Sequence, residues 1–496
     1  MPPNLTTPVQ TIQRVRLGGK TDPESTWDIT LEYPSISPKG VISSIKPNDD
    51  PNNHTPSPPI ALPSLVHPHI HLDKAYIHNT PAYSSLLPKT GSFPEALSST
   101  TQAKAQFTKL DLLRRGEWLL AESVAAGVTA MRAFVEVDHT VQHTCLEAGL
   151  ALKEKWYDAC EIQIVCFAQD PIFSTDLGGQ NRSLVEDAIR QYSPRQVGVI
   201  GTTPYVEASI EAAKRNIEWA VELAMETDRH LDFHLDYNLS PPGEQPEPLV
   251  WHVLSTLREK GWTSRSTNKR VMLGHCTRLS LFEEEEWTRL AKEIHDDDLP
   301  VSFVGLPTSD LYMAAAPPPL PSGGATKINP RGTPPIPDLI NKYALDAVLG
   351  VNNVGNAFTP WGSADPLSLA CLGVGIYQAG TVADAELLYE CVSTRARAAI
   401  GLCESPPLSL ASASDMSRSD PCVRLRCGDC ADILLLYDVD DTACLNENEG
   451  EGRPRRTVAE VVWDPPSKAT RTVVCRGRVK TGRLLTGSNG EFRFVE

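Results

Sequence analysis

The run Leu65-Val66-His67-Pro68-His69-Ile70-His71-Leu72-Asp73-Lys74 ends an apolar segment with a His-x-His pair. On an extended strand alternate side chains share a face, so His69 and His71 project together and Asp73 follows on the same side. Two imidazoles held side by side at the mouth of a strand can grip one divalent metal ion. Taken alone, the pair reads more readily as two polar residues at a strand end. What surrounds it decides between the two.

Seven more strand-like runs follow the first, which spans 64–72. They lie at 128–137, 161–169, 197–203, 230–236, 270–276, 299–307 and 345–353. Amphipathic stretches separate most of them, at 110–126, 141–158, 183–192, 207–228, 247–260, 281–295 and 334–343, and helices over 363–379 and 383–401 follow the last. Ser280-Leu281-Phe282-Glu283 reads as a capping box opening one helix. Strand-then-helix units repeated eight times, with strands rich in Val, Ile, Leu and Phe, predict an α/β fold: a (β/α)8 TIM-type barrel over residues 62–402. The flanks, 1–61 and 403–496, carry short strand-like runs broken by polar or proline-rich inserts at 48–60, 404–421 and 439–457. They predict one small β-domain built jointly by both termini, with the inserts as loops. A further insert, 314–337, follows the seventh strand on the face where such barrels work; a lid and a tolerated insertion fit it equally.

Composition narrows the function classes. The chain has 496 residues, 41% of them hydrophobic, and a net charge of −16, which argues against nucleic acid or an acidic membrane as partner. It lacks the roughly 18-residue apolar run of a membrane-spanning helix. Its start, Met1-Pro2-Pro3-Asn4-Leu5, lacks the basic and apolar regions of a signal peptide. Its 12 cysteines are scattered, as suits reduced thiols in a cytoplasmic protein. Cys422, Cys427 and Cys430 form the one cluster, and with no second CxxC or nearby His pair they read as a turn leading into a strand. The expected partner is a small-molecule substrate, with homo-oligomer formation left open.

The ends of the predicted strands carry the chemistry. Strand one gives His69 and His71, strand five gives His234 with Asp236 two residues on, and strand six gives His275. A shared site at the C-terminal mouth of the barrel follows.

These residues carry a resemblance. The chain resembles the amidohydrolase superfamily, and within it the cytosine deaminase-like branch. The motifs are Pro68-His69-Ile70-His71-Leu72-Asp73, Cys166-Phe167-Ala168-Gln169-Asp170, Asp232-Phe233-His234-Leu235-Asp236, Gly274-His275, Arg331-Gly332, and Gly350-Val351-Asn352-Asn353-Val354 with Pro360-Trp361-Gly362. The resemblance implies that His69, His71 and His234 are metal ligands for one divalent ion, zinc or iron, acting as a Lewis acid on water. It implies that His275 polarises the water or the substrate, and that Gln169 hydrogen-bonds the substrate. The reaction implied is hydrolysis of a non-peptide carbon–nitrogen bond in a small cyclic amide, amidine or amino-heterocycle.

Three positions depart from the family pattern. Its strand-eight Asp, which takes the proton from the attacking water, is Asn352 here, and an amide has no useful basicity near neutral pH. Its Glu three residues after the strand-five His is Tyr237, and its strand-two His is Phe134, which suggests a more apolar substrate. Either proton transfer is rearranged around Asp73, Asp236, Asp310, Tyr237 and His275, or hydrolysis has given way to a non-hydrolytic metal-assisted reaction or to binding alone. Asp365, Glu136 and Lys74 read as structural: a helix cap, a strand residue and a surface or supporting charge.

Overall fold

The computed structural model describes residues 2–5, 8–19, 22, 25–35, 39–48, 58–239, 246–314, 331–402, 423–437, 455–481, 483–486 and 492–495. At its centre are eight parallel strands: β1 (Leu65–His71), β2 (Val128–Glu136), β3 (Glu161–Ala168), β4 (Val197–Thr202), β5 (His230–Leu235), β6 (Val271–His275), β7 (Val301–Gly305) and β8 (Ala347–Leu349). They pair in chain order. Asn352, just past β8, closes the ring: its N–H donates to the His69 carbonyl at 3.1 Å and its carbonyl accepts from the His71 N–H at 2.8 Å. The strands are buried on both faces nearly throughout, which is why they read as unbroken apolar runs in the sequence.

The intervening helices cover the barrel through apolar stripes. In Glu284–Asp296 the buried residues Trp287, Leu290, Ala291 and Ile294 fall at i, i+3, i+4 and i+7. Its capping box is Glu283 with Glu286, correcting the expected start at Ser280. Ser280 instead lies in the 3-10 turn Thr277–Leu281, its hydroxyl donating to the Thr277 carbonyl. The helix expected over 383–401 is two, Val382–Cys391 and Thr394–Ala399. The second closes the lower end of the barrel, where Ala396, Ala399 and Ile400 pack on Val66, Met272, Val304 and Val348. Helix Phe93–Lys104, between β1 and β2, had no counterpart in the sequence reading.

Both termini build the second sheet. Thr11–Leu17, Trp27–Glu32, Val41–Pro47 and Ile60–Pro63 from the N-terminal side join Ile433–Leu436, Arg471–Cys475 and Arg478–Thr481 from the other. Ile60–Pro63 is the seam: it pairs with Ile433–Leu436 and leads within two residues into β1. A separate core forms from Val15, Ile29, Leu31, Ile433 and Val474. Asp365 caps helix Pro366–Ile376 as expected and also meets Arg471 of the small domain at 2.8 Å, both buried. The described cysteines are all free; Cys427 and Cys430 lie before Ile433–Leu436, and Cys422 lies outside the described residues, as does most of the insert 314–337. Among the described residues no helix is long and apolar enough to cross a membrane.

Candidate functional site

β1 and β5 place three imidazoles at the C-terminal mouth of the barrel. Ring nitrogens of His69, His71 and His234 all lie within 4.8 Å of one another, and all three residues are buried. His71 Nε2 faces His234 Nε2 at 3.1 Å. Both nitrogens of His69 and the Nδ1 atoms of His71 and His234 are buried with no hydrogen-bond partner. Burial lowers the pKa of all three; for His71 the charge of Lys74 adds to it, and for His234 that of His69. Neutral imidazoles with ring nitrogens gathered this closely are what a divalent cation requires, so this chain's residues fit the implied metal. Asp232 stands 3.6 Å behind His69 Nδ1, an ion-pair separation longer than a hydrogen bond, and is itself held by Arg132 at 3.0 Å. Gly274 on β6 lets the ring approach: a Cβ there would meet His69 Cε1 at 3.3 Å and the Phe233 carbonyl at 3.2 Å.

His275 ends β6 beside this cluster, its ring 5.0 Å from that of His234. Its Nδ1 lies 2.8 Å from Asp310 Oδ1. Asp310, wholly buried in helix Pro307–Met313, also accepts from the Leu306 N–H and the Thr333 hydroxyl. The carboxylate therefore fixes the ring with Nδ1 as donor and leaves Nε2 as the proton acceptor. The strand ends are strained here: Asp236, His275 and Asn352 all have positive φ, at 48°, 67° and 66°. Such left-handed non-glycine residues persist only where the surroundings over-determine them.

A cleft opens over the histidines, with about 330 Å³ of empty space counting the open solvent at its mouth. His71, His234, His275, Gln169, Tyr237 and Asn352 are among the residues lining it. Asn352 Nδ2 donates to Ser309 Oγ at 2.8 Å, and its Oδ1 is buried without a partner. Burial pushes the Tyr237 phenol well above its usual range, so it is a neutral donor. Lys74, Phe93, Tyr205, Ser309, Asn353 and Phe358 complete the lining and were not foreseen there.

Three expectations need correcting. Asp236 does not line the cavity. It accepts the N–H groups of Leu249 and Val250 at 2.8 and 3.0 Å, opening helix Val250–Lys260, and its backbone has already left the strand. That gives it a structural task in place of the catalytic one. Phe134 also lies outside the lining; it packs under the site, ring to ring with His69 at 4.0 Å and His71 at 4.9 Å, in an apolar floor shared with Val165, Phe167 and Val199. Asp73 leaves the histidine face because β1 ends at His71, and its Oδ2 accepts the Glu136 N–H.

Lys74 is neither a surface charge nor remote. It is buried, with Nζ 2.7 Å from Glu136 Oε1 and 3.0 Å from Gln169 Oε1. Glu136 reaches a second ammonium, Lys104 at the end of helix Phe93–Lys104, which also meets Asp138 at 2.5 Å and Asp170 at 3.1 Å. Asp138, His139 and Asp170 are close enough together to suggest another cation site, but the Lys104 ammonium already stands among them.

No protein-family model and no curated protein sequence matches this chain. Solved structures do. It is similar to 5-methylcytosine deaminase from Klebsiella pneumoniae liganded with 5-fluorocytosine, at 19% identity and a TM-score of 0.72, covering 96% of this chain and 98% of that one. It is similar to N-isopropylammelide isopropylaminohydrolase from Burkholderia multivorans, at 21% identity and a TM-score of 0.65, covering 95% and 97%. It is similar to guanine deaminase from C. acetobutylicum with bound guanine, at 12% identity and a TM-score of 0.55, covering 96% and 100%. At these identities the likeness establishes the fold alone: over 95–96% of its length this chain is similar in fold to these structures.

Proposed function

We propose that this chain is a metal-dependent hydrolase of the amidohydrolase type, cleaving a non-peptide carbon–nitrogen bond in a small cyclic amide, amidine or amino-heterocycle. One observation carries the reading: three buried imidazoles bring ring nitrogens within 4.8 Å of one another, four of their six nitrogens have no hydrogen-bond partner, and His275 reaches the cavity beside them. A zinc or iron ion held by His69, His71 and His234 would supply Lewis acidity, polarising the scissile group and lowering the proton affinity of a water.

The protein's own groups supply the rest. His275, held through Nδ1 by Asp310, offers Nε2 as the base that takes a proton from the attacking water, and the carboxylate behind it stabilises the cation that results. This replaces the acid missing at Asn352, whose Oδ1 can accept a hydrogen bond but not a proton at neutral pH. Tyr237 is a neutral donor on the cavity lining, its ring 4.5 Å from that of His275. Phe134 and Phe167 keep the underside of the histidines apolar, which strengthens the electrostatics above them. The similar structures bear the names of deaminases and an aminohydrolase, which supports the carbon–nitrogen bond as target.

The test is a screen for carbon–nitrogen hydrolysis by the full chain, repeated after chelation and after zinc or iron is restored. Activity lost with the metal, regained with it, and abolished in His275→Ala with metal retained is the expected result. Turnover indifferent to chelation would overturn the reading.

A further inference from the structure

Asn352 is stitched between two of the histidines. Its N–H donates to the His69 carbonyl at 3.1 Å and its carbonyl accepts the His71 N–H at 2.8 Å, so its side chain starts level with theirs. That side chain lines the cavity together with His71, His234 and His275. The amide is held one way round. Nδ2 donates to Ser309 Oγ at 2.8 Å, and Ser309 Oγ is in turn 2.5 Å from Thr359 Oγ1. Oδ1 is left over, buried and without a partner, on a residue only 1% exposed. An amide oxygen offers a divalent cation a lone pair and brings no charge with it.

The charges around this oxygen are unbalanced. Three imidazoles and an amide are all neutral, so an ion among them would keep both of its positive charges. No carboxylate is among the described residues lining the cavity, whereas the Lys74 ammonium is. The acids behind the lining are engaged: Glu136 by Lys74 and Lys104, Asp232 by Arg132, and Asp236 by two helix N–H groups. Asp310 stands behind the His275 ring, on its Nδ1. One carboxylate at that remove does not balance a doubly charged ion, because attraction falls with distance.

Resting on the hydrolase reading above, we propose that Asn352 Oδ1 is a fourth, uncharged donor to the ion that His69, His71 and His234 would hold, and that the positive charge left over makes the cavity a binding site for a small monovalent anion. Lys74 adds to the attraction from the lining.

The experiment uses the full chain, stripped by chelation and reloaded. Zinc affinity is measured by competition with a chromophoric chelator for the unaltered protein, Asn352→Gly and Asn352→Asp. Asn352→Gly removes the donor and suits the positive φ of 66° at this position. Asn352→Asp keeps an oxygen there, tolerates the same φ and adds a charge. Asn352→Gly is expected to bind zinc at least about tenfold more weakly, and Asn352→Asp at least about tenfold more tightly. Azide is then titrated into the cobalt(II)-loaded proteins and followed by visible absorption. Its affinity is expected to fall at least about tenfold from the unaltered protein to Asn352→Asp. Zinc affinity unchanged in Asn352→Gly, or no tighter in Asn352→Asp, overturns the donor assignment. Azide bound no more tightly by the unaltered protein than by Asn352→Asp overturns the anion site. Either result leaves the three histidines and the hydrolase reading standing. Failure of the unaltered chain to take up zinc or cobalt overturns that reading as well.

Discussion

Two buried polar clusters stand side by side at the barrel mouth, and they are completed in opposite ways. In one, Lys74 and Lys104 meet Glu136, Asp138 and Asp170 at 2.5–3.1 Å, so its charges answer one another within the chain. In the other, His69, His71 and His234 crowd together, and four of their six ring nitrogens have no hydrogen-bond partner in the chain. A buried polar group without a partner costs on the order of 1–3 kcal/mol, so several in one place are kept only where something outside the chain completes them. The first cluster holds the architecture, tying helix Phe93–Lys104 to β2; the second waits for a ligand. Proximity of charged or polar residues is thus a poor guide to a site, and unmet valence is a better one.

Breaking the second cluster is expected to have the largest effect. Removing one ligand, as in His71→Ala or His234→Ala, is expected to weaken metal binding by at least ~100-fold, since even second-layer changes cost about 10–100-fold. Elemental analysis of the purified variants checks this, and metal unchanged in all of them would merge the two clusters into one structural class. Next comes the proton carrier. Asp310→Asn is expected to lower turnover by roughly 10²–10⁴-fold while metal content stays the same. A loss of metal alongside activity would show that Asp310 supports the ligands instead.

Breaking the first cluster should unfold rather than disarm. Lys104→Met leaves the buried Glu136 and Asp138 and the half-buried Asp170 short of a cation, and a destabilisation of about 3–5 kcal/mol is expected, read by denaturant unfolding, with metal per folded molecule unaltered. Acid sharpens the contrast. His71 and His234 sit well below their ordinary 6.5, chiefly through burial, so they take up protons more readily when unfolded. Their contribution to stability is complete above about 6.5 and is lost as pH falls below it. Burial alone would raise the Glu136 carboxyl, but Lys104 and Lys74 outweigh burial and hold it at about 2. Its contribution is complete above its ordinary 4.5 and is lost only as pH falls toward 2. The metal-free protein is therefore expected to lose stability in two stages, and the variant with His71→Gln and His234→Gln to lose less in the first, where the buried His69 still contributes. Identical acid profiles for the two proteins would contradict the separation.

The barrel was legible because its signal is repeated: eight runs apolar enough to be buried on both faces each contain an observed strand. The histidines were legible because a strand's two-residue period needs no tertiary knowledge. That logic failed where the strand stopped. Asp73 and Asp236 lie two residues beyond the histidines of β1 and β5, but the backbone has already turned, and both carboxylates bind main-chain N–H groups instead. Phe134 shares a level with the histidines yet packs beneath them, a distinction of depth that a sequence does not encode. Phe93, Tyr205 and Phe358 come from segments between strands, where no period predicts direction. Asp310 was visible only as one acid among several; its pairing with His275 depends on how the helix after β7 turns back over the mouth.

Anomalous X-ray scattering from crystals of the full chain, collected on both sides of the zinc and iron absorption edges, tests the central claim most directly. One peak is predicted, bounded by ring nitrogens of His69, His71 and His234 at about 2.0–2.1 Å. A peak elsewhere, or none in protein given excess metal, would contradict it.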